Sequence, residues 1–223
     1  MAEQDCIILL HGLGRSSNSM SSMATYLTNA HYRVINQSYP STQKSIETLA
    51  KDDLGSMVSQ CQRYKPTNIS FVTHSMGGII LREYLQKNKV PNLGRVVMLA
   101  PPNHGSELAD LLQHNLLFKL ITGPAGQQLT TSRLSMLNAL DQTVHYEVGV
   151  IAGRFSLNPL QRFIFHGEND GKVAVASTRI DGMNDFIVLS VSHTFMTKNR
   201  LVIKEVGHFL QKGYFDKALI KTS

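Results

Sequence analysis

The spacing of apolar residues changes period several times along the chain, and each change marks an element. Residues 6–10 (C-I-I-L-L) form an unbroken apolar run, as in a strand covered on both faces. Residues 19–28 read as helical and 32–37 as a second strand. Over 45–61, Ile46, Leu49, Ala50, Leu54, Met57, Val58 and Cys61 recur at helical spacing, so one face of this helix packs on the sheet. Residues 69–80 (I-S-F-V-T-H-S-M-G-G-I-I) begin as a strand rich in β-branched and aromatic side chains, break at His74-Ser75-Met76-Gly77-Gly78, and resume with helical spacing to Lys87. Strands are expected again at 95–99, 147–152 and 186–191, and helical spacing returns at 203–210, before Gly213. Strands alternating with helices imply right-handed crossovers. The fold class is therefore α/β: one domain over 1–223, with a mostly parallel central sheet and helices on both faces.

A serine on a tight strand-to-helix turn stands out of the carboxyl edge of the sheet. The first N–H groups of the following helix face the same space and can hold an oxyanion. Ser75 is thus a candidate nucleophile. The stretch T-H-S-M-G-G resembles the nucleophile elbow of the α/β-hydrolase superfamily, G-x-S-x-G, with Thr73 in place of the first glycine. That position calls for a small residue, and Thr is short but not the smallest. His11-Gly12-Leu13-Gly14, directly after the first strand, is similar to the oxyanion loop of lipase-like members; read alone it is also a simple glycine turn. Together the two motifs imply that the backbone amides of Leu13 and Met76 form the oxyanion hole.

The resemblance further implies an acid and then a histidine, each from a loop after a later strand. Asp170, in N-D-G-K-V, and His193, in S-H-T-F-M, occupy those places. Glu168, Asp181 and Asp185 compete for the acid, and an Asp beside Asn and Gly is also a common turn former. His208 competes for the base but lies in the helical stretch at 203–210. His74, next to Ser75, is expected to line the site without taking the proton. The implied activity is that of a lipase-like serine esterase, cleaving carboxylic acyl esters through a Ser-His-Asp triad and an acyl-enzyme. Thioesterase and acyltransferase chemistry use the same parts, and a catalytically silent binding or scaffold module of the same fold is the alternative from another class.

Two further segments bear on substrate. A-P-P-N-H-G-S (100–106) follows a strand and resembles the loop that borders the site in lipase-like members. Residues 111–121 are densely apolar, with Gly123, Pro124 and Gly126 behind them, so 106–135 is a candidate lid or acyl-pocket segment, although so apolar a stretch is also ordinary core.

Composition adds constraints. A chain of 223 residues, 42% hydrophobic and 17% charged, can bury a full core. The net charge is +6, but Lys and Arg are scattered and there is no Trp, so no nucleic-acid partner is expected; transient contact with an anionic membrane surface is compatible with the charge. The substrate is expected to be a small-molecule or lipid acyl ester. With no H-E-x-x-H, paired C-x-x-C or Walker loop, no metal and no organic cofactor is expected. Cys6 and Cys61 read as buried thiols, which, with no visible signal peptide or membrane span, gives a cytoplasmic expectation.

Overall fold

The computed structural model describes residues 4–106, 116–129, 136–156, 165 and 167–218. Six strands form one sheet: β1 (Cys6–Leu10), β2 (Arg33–Asn36), β3 (Ile69–His74), β4 (Leu93–Leu99), β5 (Val148–Gly153) and β6 (Asp185–Leu189). Their order is β2-β1-β3-β4-β5-β6, and every pairing is parallel, not merely most of them. The chain steps from β1 outward to β2, then returns to place β3 on the other side of β1. That reversal makes the carboxyl ends of β1 and β3 the switch point of the sheet, where the two following connections diverge and leave a crevice.

Alternation along β1 assigns the two layers. Cys6, Ile8 and Leu10 point into one core, shared with α2 (Ile46–Thr48), α3 (Gly55–Arg63) and α4 (Met76–Lys87). Ile7 and Leu9 point into the other, shared with α1 (Ser21–Asn29) and α6 (Arg200–Lys212), whose Met23, Leu27, Val202, Val206 and Phe209 cover them. α5 (Leu116–Gln127) lies between β4 and β5 in sequence and is kinked at Gly123, whose φ of 63° is left-handed. Helix ends follow local chemistry. Asn199 Oδ1 accepts from Leu201 N (2.9 Å) and Val202 N (3.2 Å) to open α6, and Gly213, at φ 81°, closes it.

Two expectations change. The helical run from Ile46 is not uniform: residues Leu49–Leu54 form a π-helical segment between α2 and α3, a local widening that apolar spacing does not distinguish from an α-helix. Cys6 and Cys61 are not thiols. They form a disulfide joining β1 to α3, with Cα atoms 6.0 Å apart across 55 residues of chain. Packing α3 on β1 brings them together, an event that sequence spacing alone does not encode. A bridge closing a loop of this length stabilises by about 2–4 kcal/mol, and its presence removes the thiol-based argument for a reducing compartment. No helix among the described residues is long and apolar enough to cross a membrane.

Candidate active site

Ser75 joins β3 to α4 with φ 55° and ψ −125°, left-handed for a residue with a Cβ. Such a conformation costs roughly 1–3 kcal/mol and persists because its surroundings over-determine it. Here Ser75 N donates to Leu99 O (2.8 Å) at the end of β4, and Gly78 N donates to Ser75 O (2.9 Å) within the turn. The turn also needs its glycines. A Cβ on Gly77 would lie 2.7 Å from Leu10 O and 2.9 Å from Leu10 Cβ, so only glycine lets α4 start against the end of β1. A Cβ on Gly78 would meet Pro101 Cβ at 3.1 Å and Thr73 Oγ1 at 3.3 Å. The second glycine therefore makes room for the threonine that replaces the first glycine of the elbow pattern. Thr73 Oγ1 itself is buried without a hydrogen-bond partner among the described residues.

The loop after β1 lies against this turn. A Cβ on Gly12 would come within 3.2 Å of His74 Nδ1 and 3.3 Å of Ser75 Cβ. Within the loop, His11 is stacked on Tyr39 at 3.8 Å between ring centroids and 10° between planes. Its partners fix its tautomer. Tyr39 N donates to Nε2 (3.2 Å), so Nδ1 carries the proton and donates to Gly12 O (2.9 Å), while the Tyr39 hydroxyl donates to His11 O. Burial lowers the His11 pKa, against the opposing effect of the Gly12 hydrogen bond. A neutral imidazole is thus the group that holds the loop in place. Among the described residues, neither Leu13 N nor Met76 N donates a hydrogen bond, which leaves both amides available beside Ser75.

Asp170 and His193 come from the loops before and after β6, and the structure brings them together. His193 Nδ1 donates to Asp170 Oδ2 at 2.7 Å, with both side chains buried. Asp170 Oδ1 accepts from Lys172 N (3.0 Å) and Val173 N (2.9 Å), and His193 N donates to Asp170 O (3.0 Å). Asp170 is accordingly both the turn former that its neighbours suggest and the partner of the histidine, one oxygen serving each role. No Ser75–His193 hydrogen bond is formed among the described residues; in unliganded sites this contact is commonly loose and tightens with substrate.

The competitors sit elsewhere in the fold. Glu168 is exposed and 3.7 Å from Arg154, and Asp185 Oδ2 accepts from Phe215 N (2.9 Å). Asp181 O accepts from Val144 N, on a bridge with residue 143. His208 sits on α6, with Nδ1 donating to Tyr214 O (2.9 Å). Among the described residues no group of three His, Cys, Asp or Glu side chains is arranged to hold a metal.

His74 does more than line the site. Its Nε2 donates to His193 O at 3.1 Å, tying the elbow to the loop of the histidine, and its ring packs 4.7 Å from that of His193. Nδ1 is then the unprotonated nitrogen, buried and unpartnered among the described residues. Burial above all, and then the charges of His193, Lys172 and Arg15, hold the His74 pKa well below its ordinary value. The sequence shows that His74 adjoins Ser75 but not that it reaches a loop 119 residues on.

A cavity of about 230 Å³ unites these groups. Ser75, His74, His193, Gly12 and Leu13 line it, with Arg15 and Lys172, and Pro102 and Ser106 come from the loop expected to border the site. Of the 106–135 segment, Thr122, Gly126 and Leu129 reach the cavity. The turn at Gly123 is pressed against Thr42, since a Cβ there would overlap Thr42 O at 1.7 Å, and Gln128 Oε1 accepts from Ile46 N (2.8 Å). Residues 107–115 and 130–135 lie outside the described residues, as do the side chains of Leu116, Leu117 and Phe118.

A family described as alpha/beta hydrolase fold matches residues 5–139, more than half of the chain. A search of curated protein sequences finds no match. Among solved structures, the mature lipase BlEst2 of Bacillus licheniformis is similar with a TM-score of 0.79 and 23% identity, covering 94% of this chain and 93% of that one. The phospholipase PlaB of Legionella pneumophila is similar with a TM-score of 0.73 and 19% identity, over 99% of this chain and 61% of its own. A metagenomic carboxyl esterase, MGS0156, reaches a TM-score of 0.64 at 19% identity, over 86% of this chain and 65% of its own. At such identities the likeness concerns the fold.

Proposed function

The chain belongs to the alpha/beta hydrolase fold family, and on that premise we propose that it is a serine hydrolase of carboxylic acyl esters, acting through Ser75, His193 and Asp170. The observation that carries this reading is the buried 2.7 Å Asp170–His193 hydrogen bond, whose histidine lines the same cavity as a serine in left-handed backbone geometry.

The chemistry follows from the roles. His193 Nε2 takes the Ser75 hydroxyl proton as Oγ attacks the ester carbonyl, while Asp170 holds the Nδ1–H tautomer and stabilises the imidazolium. The amides of Leu13 and Met76 receive the tetrahedral oxyanion, each worth about 3 kcal/mol of barrier. Collapse breaks the C–O bond to the alcohol, whose oxygen takes the proton from His193. Water, deprotonated by the same nitrogen, then attacks the acyl-serine; the carboxylic acid leaves and Ser75 recovers its proton. A small-molecule or lipid acyl ester is the substrate, and the scheme is complete without metal or cofactor.

The test is covalent labelling with a fluorophosphonate alongside turnover of para-nitrophenyl esters, for wild type and Ser75→Ala. Labelling and turnover that both vanish in the variant are expected, with kcat reduced by about 10⁴-fold or more. A folded wild type that neither labels nor turns over any ester would overturn the proposal in favour of a catalytically silent module.

A further inference from the structure

The cavity around Ser75 is mostly apolar, yet two cations line it. Arg15 enters from the loop after β1, immediately beyond the Leu13 amide, and Lys172 from the turn that carries Asp170. No Asp or Glu lines the cavity among the described residues, and neither cation forms an ion pair there. The described salt bridges of Lys and Arg all lie elsewhere, and the carboxylate that acts on Lys172 is Asp170, which is already hydrogen-bonded to His193. Both side chains line the same cavity, and partial desolvation first, and then the charge of Arg15, lower the Lys172 pKa, with Asp170 acting in the other direction. Their fields also reach His74 on the cavity wall. Arg15 and Lys172 are exposed residues at the margin of an apolar pocket, and like charges so placed are stabilised modestly when an anion binds beside both.

Position selects which part of the substrate carries that anion. The group that donates a proton to the leaving oxygen must face the alcohol half of the ester, and Lys172 belongs to the turn that holds this histidine through Asp170. We propose that Arg15 and Lys172 form an anion subsite for the leaving alcohol, so that the preferred substrates are apolar acyl esters of alcohols bearing a phosphate, sulfonate or carboxylate. Leu13, Pro102, Leu129 and Val173 supply apolar lining to the same cavity. This assignment rests on the serine-hydrolase reading above and adds the charge of the substrate to it.

The experiment compares kcat/KM for the hexanoate ester of para-hydroxybenzenesulfonate with that of the neutral para-hydroxybenzenesulfonamide, which differ in charge and little in shape. A second pair, the mono-para-nitrophenyl ester of adipic acid and para-nitrophenyl hexanoate, puts the charge on the acyl side. The wild type is expected to favour the sulfonate. That anionic-to-neutral ratio should fall about fivefold in Lys172→Gln and again in Arg15→Gln, as expected for partly exposed charge pairs. It should be kept in Lys172→Arg and in Lys204→Gln, an exposed cation on α6 that does not line the cavity and controls for net charge. Added salt should erode the wild-type ratio. Turnover of both esters with a ratio that neither Lys172→Gln nor Arg15→Gln moves overturns the subsite and leaves the hydrolase reading standing. A charge preference confined to the adipate pair overturns the assignment to the alcohol side. Absence of turnover and of fluorophosphonate labelling overturns both readings together.

Discussion

At one corner of the site Gly12 and Gly77 let neighbouring segments approach more closely than a Cβ would allow, whereas at the other Asp170 and His193 are held by side-chain hydrogen bonds. The first corner is steric: Leu10 O, Ser75 Cβ and His74 crowd places that hold no side chain, and the donors proposed for the oxyanion there are backbone amides. The second is chemical, because each Asp170 oxygen has its own partners and the histidine is orientated by one of them. His74 spans the two through its hydrogen bond to His193 O. The difference teaches that substitutions at the two corners should fail in different ways, one through stability and the other through activity with the fold retained.

Asp170→Asn makes the sharpest separation. Asparagine keeps an Oδ1 to accept from Lys172 N and Val173 N, so the turn survives, but its Nδ2 faces the His193 nitrogen that now donates, which favours the wrong tautomer. A fall in kcat of about 10⁴-fold with little change in Tm is expected, measured by ester turnover and thermal unfolding of the same sample. A large loss of Tm with activity surviving in the folded fraction would show that the turn, not the chemistry, is the role of Asp170.

Gly77→Ala should do the reverse. Its Cβ would press on Leu10 O, a backbone atom that cannot rotate away, so the expected cost is about 1–3 kcal/mol. For a chain of this size that lowers Tm by about 2–4 °C for each kcal/mol. An unchanged Tm would mean that the elbow and β1 approach less closely than their geometry indicates.

Acid provides the mildest test. His11 and His74 have lowered pKa values in the folded protein and titrate near pH 6.5 when unfolded. Below that pH the unfolded chain binds protons that the folded chain refuses. The stability these residues contribute is complete above about pH 6.5 and falls as pH drops toward their folded values. At pH 6 the loss should remain below about 1 kcal/mol for each. Urea midpoints at pH 7.5 and 6 measure it, and the difference should shrink in His11→Asn. A midpoint that rises on acidification would contradict the neutral tautomers.

Much of the molecule was legible in the chain because its signals are local. β1 is an apolar run, β3 is β-branched and breaks at Ser75, and α6 lies between Asn199 and Gly213, so period and punctuation mark these elements. Asn169-Asp170-Gly171 encodes its own turn through side chains bonding amides two and three residues on. Ser75 and His193 could be picked out for a related reason, since each lies in the segment that follows a strand.

What the tertiary structure alone decided joins residues far apart in sequence. The Cys6–Cys61 bridge depends on α3 lying on β1, and the His74–His193 hydrogen bond on the pairing order of the sheet. The shared cavity of Arg15 and Lys172 likewise exists only because β1 and the loop before β6 end at the same edge. Period and punctuation depend on neighbours along the chain, and therefore determine elements; distances across a packed sheet depend on the order in which those elements are laid side by side, which no local pattern carries.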